Sequence, residues 1–148
     1  MTLYTTDPRE VEDQLTLLTF DEASHAFGEA FQQIFEQAPS TETLACLLAQ
    51  SALETGRWRK IHCYNFGNVK ASGSYAGQLC YFRCNEVING RIEWFDPPHA
   101  QCRFRAYLTA LEGVREHLRF LAKPRYAKAL AAALVGQPGL LCEELRRA

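Results

Sequence analysis

Apolar residues recur first at helical spacing, then in short alternating runs, then at helical spacing again. Asp7-Pro8-Arg9-Glu10 reads as a helix start, with Asp as N-cap, Pro at the first helical position and Glu at the third; Val11, Leu15 and Leu18 keep to one face. Asp21 can cap a second helix, in which Phe27, Ala30, Phe31, Ile34 and Phe35 form a core stripe. Pro39-Ser40 breaks the chain, and an oily helix follows from Leu44 to a stop at Gly56. Between Cys63 and His99 the glycines at 67, 73, 77 and 90 and a rising aromatic count signal loops and strands. Asn89-Gly90 predicts a two-residue hairpin that sets Ile88 against Arg91, Val87 against Ile92 and Glu86 against Glu93. Leu108, Leu111, Val114, Leu118 and Leu121 mark another helix, "RYAKALAAALV" the next, and "GLLCEELRRA" a short amphipathic one. The plan is α+β and mostly helical, with a hairpin inserted between helices. One domain is expected over 1–148, with a helical lobe at 1–62 and 104–148 and a hairpin lobe at 63–103.

Composition narrows the function classes. A chain of 148 residues with net charge −1 has no electrostatic case for nucleic acid or an anionic membrane, and none of its apolar runs approaches a membrane span. "MTLYTTDPREVED" lacks the basic start and apolar core of a secretory signal, so action outside the cytoplasm would need another route of export. The six cysteines include no CxxC pair, and His62 and His99 have no paired ligand spacing; no metal and no cofactor are expected. Cys46 and Cys142 read as buried free thiols.

Two positions carry candidate chemistry. Between Leu44 and Glu54 the only polar residues are Gln50, Ser51 and Glu54, one narrow stripe on a helix whose other faces read as buried. Burial and the carbonyl end of the helix would both keep Glu54 protonated, as a general acid requires. The plainer alternative is a last-turn Glu that reaches water or pairs with Arg57 or Arg59. Glu86 and Glu93, facing each other across a hairpin, either sit in water beside a basic group or are held together for a reason.

"AQSALETG", "YNFGNVKA", "NEVING", "FRAY" and "KPRYAKAL", in that order, resemble glycoside hydrolase family 73, the bacterial N-acetylglucosaminidases related in fold to lysozyme. The likeness runs from about Leu44 to about Leu130. It implies a lysozyme-like fold and cleavage of β-1,4 bonds in peptidoglycan, most simply after N-acetylglucosamine. It makes Glu54 the acid and Glu86 the second carboxylate, with Tyr126 lining the cleft. Glu86 would activate water, orient it, or steady the substrate's own acetamido group, while Glu93 would tune Glu86. Asn65 and Phe66, with Lys70, are candidates for the groove floor; Tyr107, Trp94 and Tyr64 are amphipathic aromatics that could stack on sugars or simply pack.

The implied partner is the glycan strand, reached in the periplasm or at the cell wall by phage lysis or a specialised secretion system; an injected effector would also bring an immunity or inhibitor protein. A muramidase or lytic transglycosylase is the alternative within the class, and a catalytically silent peptidoglycan-binding or assembly module the alternative outside it. Extending the Glu86–Glu93 register past Pro97 and Pro98 brings Cys80 near Cys102, the disulfide expected in an oxidising compartment.

Overall fold

The structure is a computed structural model that describes residues 2–148. Helix α1 (Phe20–Phe35) begins at Thr19, not Asp21: the Thr19 hydroxyl accepts the Glu22 amide, and the Glu22 carboxylate accepts the Thr19 amide at 2.8 Å. Two of the otherwise orphaned donors at the helix start are thereby satisfied, which a single Asp two residues further on would not achieve. The aromatic stripe is core as expected, with Phe27 and Phe31 buried and Phe27 meeting Phe66 edge-to-face at 5.8 Å. Helix α2 (Thr41–Glu54) starts at the N-cap Ser40. Its outer face is open, with Leu53 82% exposed, so the expectation of burial on nearly every side fails. The polar stripe divides: Ser51 accepts the buried Trp58 indole N–H at 3.0 Å, Gln50 meets His117 at 3.3 Å, and Glu54 faces solvent.

The segment expected as the first helix is extended. Glu10 bridges to Leu79 and Leu15 to His62, and backbone bonds run from the Val11 amide to Leu79 and from the Thr16 amide to Ile61. The cause is the Glu10 carboxylate, which is buried and accepts the Tyr4 and Thr5 amides and the Thr5 hydroxyl. Those bonds fold the chain back onto Glu10 where a helix would have run forward. Asp7 is spent on the Arg9 guanidinium, which holds its carboxyl down at about 2.

Strands β1 (Leu79–Tyr81), β2 (Cys84–Ile88), β3 (Arg91–Phe95) and β4 (Arg103–Arg105) form two antiparallel pairs, β1 with β4 and β2 with β3. The predicted hairpin register is present: Glu86 faces Glu93, Val87 faces Ile92 and Ile88 faces Arg91. Asn89 and Gly90 both have positive φ, 51° and 75°, as the tight turn demands. Helices α3 (Ala110–Leu121), α4 (Ala127–Leu134) and α5 (Pro138–Arg147) complete the chain, and α3 packs along α1. The main core joins α1, α2, α3 and α4 around Phe27, Leu47, Phe66 and Leu118.

The expected Cys80–Cys102 bridge is absent; all six cysteines are free. The hairpin ladder ends at Cys84 and Phe95, and β1 then pairs with β4 in a different register that sets Cys80 opposite Phe104. Successive residues of a strand point to opposite faces, so Cys80 turns toward Cys63 in one small cluster while Cys102 lies in another. Cys46 is buried as expected, but Cys142 is exposed.

Candidate active site

Glu54 ends α2, and the backbone leaves the helix through Gly56, Arg57 and Trp58, all at positive φ. Only Gly takes that conformation without cost, so the glycine opens the turn. The two residues after it are held by Trp58, whose amide donates to the Thr55 hydroxyl at 3.0 Å while its ring fills the core. Glu54 itself is exposed and makes no hydrogen bond or ion pair among the described residues. Neither Arg57 nor Arg59 claims it. The burial expected for this carboxylate is therefore not a property of the free protein; only a bound ligand could exclude water from it.

Glu86 is half-buried on β2 and forms a 2.9 Å ion pair with Lys70. Lys70 is thus the basic neighbour that makes the facing pair Glu86 and Glu93 tolerable. Lys70 is itself fixed from several sides: it donates to the Gln101 carbonyl, lies over the Phe104 ring at 4.2 Å, and its backbone bridges to Phe104. Around this pair is a groove of about 460 Å³ whose walls include Lys60, His62, Lys70, Phe82, Glu86 and Trp94. Trp94 is 54% exposed and its ring carries the Arg83 guanidinium at 4.5 Å, which leaves a broad aromatic face at the groove. Such a face, beside ammonium and carboxylate groups, suits a polyhydroxylated ligand with flat apolar patches. Glu54 is not among the groove's lining residues.

Other sequence candidates take different places. Asn65 is buried and donates to the Val69 and Arg105 carbonyls at 3.0 and 2.9 Å while accepting the Val69 amide. It clamps the loop before Lys70 to β4 and does not floor a groove. Phe66 is core, between Phe27 and His117. Tyr107 is buried, and burial pushes its phenol up to about 12. Tyr126 is half-buried, packs on Phe120 at 4.9 Å, and does not line the groove. Glu93 is exposed on β3.

Three features have no clear precursor in the sequence pattern. His117 is buried, and loss of solvation pushes it down to about 4. Asp13 pairs at 2.8 Å with His62, a groove residue whose ring stacks on Phe82 at 4.0 Å. Asp13, Cys63 and Cys80 bring one carboxylate oxygen and two sulfurs within 4.8 Å of one another, a group that could hold a metal ion. A second groove, about 1240 Å³, lies between α1, α2 and the Leu15–Leu18 segment; its lining is apolar and its one acid, Glu22, serves the α1 cap.

No protein-family model matches the chain. It is 34% identical over 100 residues to the peptidoglycan hydrolase FlgJ of Escherichia coli K12, a match covering 62% of this chain and 30% of FlgJ. FlgJ of Salmonella typhimurium is 33% identical over the same length. The chain therefore spans under a third of those relatives. Among solved structures, a mutant peptidoglycan hydrolase from Sphingomonas sp. A1 superposes with a TM-score of 0.55 at 24% identity, covering 86% of this chain and 88% of that one. The truncated glycoside hydrolase domain of Salmonella typhimurium FlgJ gives a TM-score of 0.53 at 26% identity, over 86% and 94%. The likeness to glycoside hydrolase family 73 and the mostly helical, lysozyme-like α+β fold are borne out.

Proposed function

We propose that this family 73-like chain is a glycoside hydrolase that cuts the β-1,4-linked glycan of peptidoglycan, after N-acetylglucosamine. The observation that carries the reading is a carboxylate held by Lys70 on a hairpin beside a groove, Glu86, in a chain whose helix α2 ends on a second, free carboxylate, Glu54. Cleavage of a glycosidic bond needs an acid for the departing oxygen and a partner carboxylate near the other face of the sugar. Glu54 supplies the proton once substrate covers it and shields it from water. Glu86 activates water or steadies the acetamido oxygen, and the 2.9 Å contact with Lys70 keeps it in place. Trp94 gives a sugar ring an apolar surface to rest on, while both faces of Phe82 are taken by the His62 and Phe104 rings. Glu93 lies across the hairpin from Glu86 and adjusts its electrostatics. Tyr126 keeps a cleft-lining role in this reading only if substrate extends beyond the groove.

Names of the relatives support the substrate class: FlgJ is a peptidoglycan hydrolase. The setting that follows is the cell wall or periplasm, with delivery as a phage lysin or an injected effector, the latter bringing a cognate inhibitor. Purified peptidoglycan digested by wild type and by Glu54→Gln, with products read by mass spectrometry, tests the reading. Fragments ending in reducing N-acetylglucosamine are expected from wild type, with at least about a hundredfold less from the folded variant. Reducing N-acetylmuramic acid or anhydro ends would instead assign a muramidase or transglycosylase. Binding without release by wild type would leave a silent wall-binding module.

A further inference from the structure

We propose that Cys84 and Cys102 are a thiol pair that closes to a disulfide by exchange with an external disulfide, locking the base of the β2–β3 hairpin. Cys84 opens β2, and Cys102 ends the short turn Ala100–Cys102 that leads into β4. Their sulfurs are 3.9 Å apart in the reduced protein. Side-chain rotation must bring them to a bond length of about 2.05 Å. Cys63 and Cys80 are also close, with sulfurs within 4.8 Å, but both are fully buried beyond the reach of an external disulfide; Cys46 lies in the helical core and Cys142 is exposed on α5.

The two thiols are unequal, and their inequality sets the order of events. Cys84 is partly exposed and open to an external disulfide, with the Lys70 ammonium 3.6 Å from its sulfur. Cys102 is fully buried, and burial pushes its thiol up to about 11. Cys84 is therefore the entry point. Its thiolate attacks one sulfur of the external disulfide, forming a mixed disulfide and expelling one thiolate. The Cys102 sulfur, as thiolate, then attacks Cys84 Sγ and expels the second. The two protons lost from the protein thiols end on the two released thiols; the protein is oxidised by two electrons and the external disulfide reduced by two.

The bond would sit where the hairpin leaves the body of the molecule. Glu86 is two residues from Cys84, and Lys70 touches both. Closing the bond thus limits how far Glu86 can swing while leaving the Lys70 contact in place. The consequence for catalysis rests on the function proposed above; the bond itself does not.

The test uses the full chain, reduced, then exposed under native conditions to oxidised glutathione, quenched in acid, unfolded and alkylated, with the cysteines mapped by mass spectrometry. The expected result is loss of the Cys84 and Cys102 alkylation sites and a cross-linked peptide containing both. In Cys102→Ser, Cys84 should accumulate as the glutathione mixed disulfide; in Cys84→Ser, Cys102 should stay alkylatable. Hydrogen exchange of the 85–88 amides should slow on oxidation of wild type and not of Cys84→Ser. Full alkylation of both cysteines, a cross-link from Cys84 to any other cysteine, or unaltered hairpin exchange in the cross-linked protein would overturn the proposal. Neither readout involves glycan release, so an inactive but cross-linked protein would count against the proposed function and not against this pair.

Discussion

The helical body and the β2–β3 hairpin answer to different physics. In the body, Phe27, Leu47, Val114 and Leu118 are almost wholly buried; Thr19, Ser40 and Thr109 cap α1, α2 and α3, and α5 begins with proline. In the hairpin, Val87, Ile92 and Trp94 are 71%, 66% and 54% exposed. Its stability comes from the cross-strand ladder and from contacts at one end: Glu86 with Lys70, and Cys84 and Phe95 against the small cluster around Cys102. A two-stranded hairpin is marginal without such anchoring. One candidate carboxylate is thus built on the helical body and the other on an element tethered at its base, which permits the distance between them to change.

Truncating one residue in each region gives the widest contrast. Phe27→Ala should cost about 3–5 kcal/mol of stability, through lost burial and an unfilled cavity, whereas Ile92→Thr should stay within about 0.5 kcal/mol. Urea denaturation midpoints of the two variants measure both, and equal losses would mean the hairpin belongs to the cooperative core.

A pH effect of nearly the same size belongs to the body alone. His117 takes a proton near 6.5 when unfolded but only at about 4 when folded. Between those values the unfolded chain binds more protons, so stability is complete above pH 6.5 and falls as pH drops toward 4, by roughly 3 kcal/mol in all. Denaturant titrations across that window should show the slope in wild type and a flatter profile in His117→Gln.

The smallest effects are in the hairpin's electrostatics. Lys70→Met should lower glycan release more than it lowers stability, because it frees Glu86 and leaves the Glu86–Glu93 repulsion unopposed, a term of a few tenths of a kcal/mol to about 1 kcal/mol. Glu86→Gln should be more damaging to turnover than Glu93→Gln. The reverse ranking would move the working carboxylate to β3.

What could be read ahead of the fold follows from how local each signal is. The Asn89-Gly90 turn and the strand alternation beside it determine the register from neighbouring residues alone, and that register is present. The Phe27 and Phe31 stripe is equally local. The first predicted helix failed because Glu10 is claimed by Tyr4 and Thr5 and the following backbone by Leu79 and Ile61, partners that no nearby pattern announces. Asn65 illustrates the same limit: a conspicuous motif residue whose hydrogen bonds go to the backbone of Val69 and Arg105. Ser51 and Gln50 carried a real polar signal, but it reported the needs of Trp58 and His117. Lys70, by contrast, stood in a quoted motif and answered the question that Glu86 and Glu93 had raised.

The extended segment through residues 10–16 also bears on how the chain reaches this structure. Its amides and carbonyls bond to Ile61, Cys63 and Leu79, so each contact must close a loop of roughly 45 to 70 residues. Sequence-distant pairings pay their closure entropy before they return any stability, and they slow folding accordingly. The helices can associate through α1 and α3 without this segment, so it should dock after them, as a splint laid across a body already assembled. Pulse-labelled hydrogen exchange during refolding would then find the Val11 and Thr16 amides among the last to be protected, and the order of assembly would run opposite to the order of synthesis at this end of the molecule.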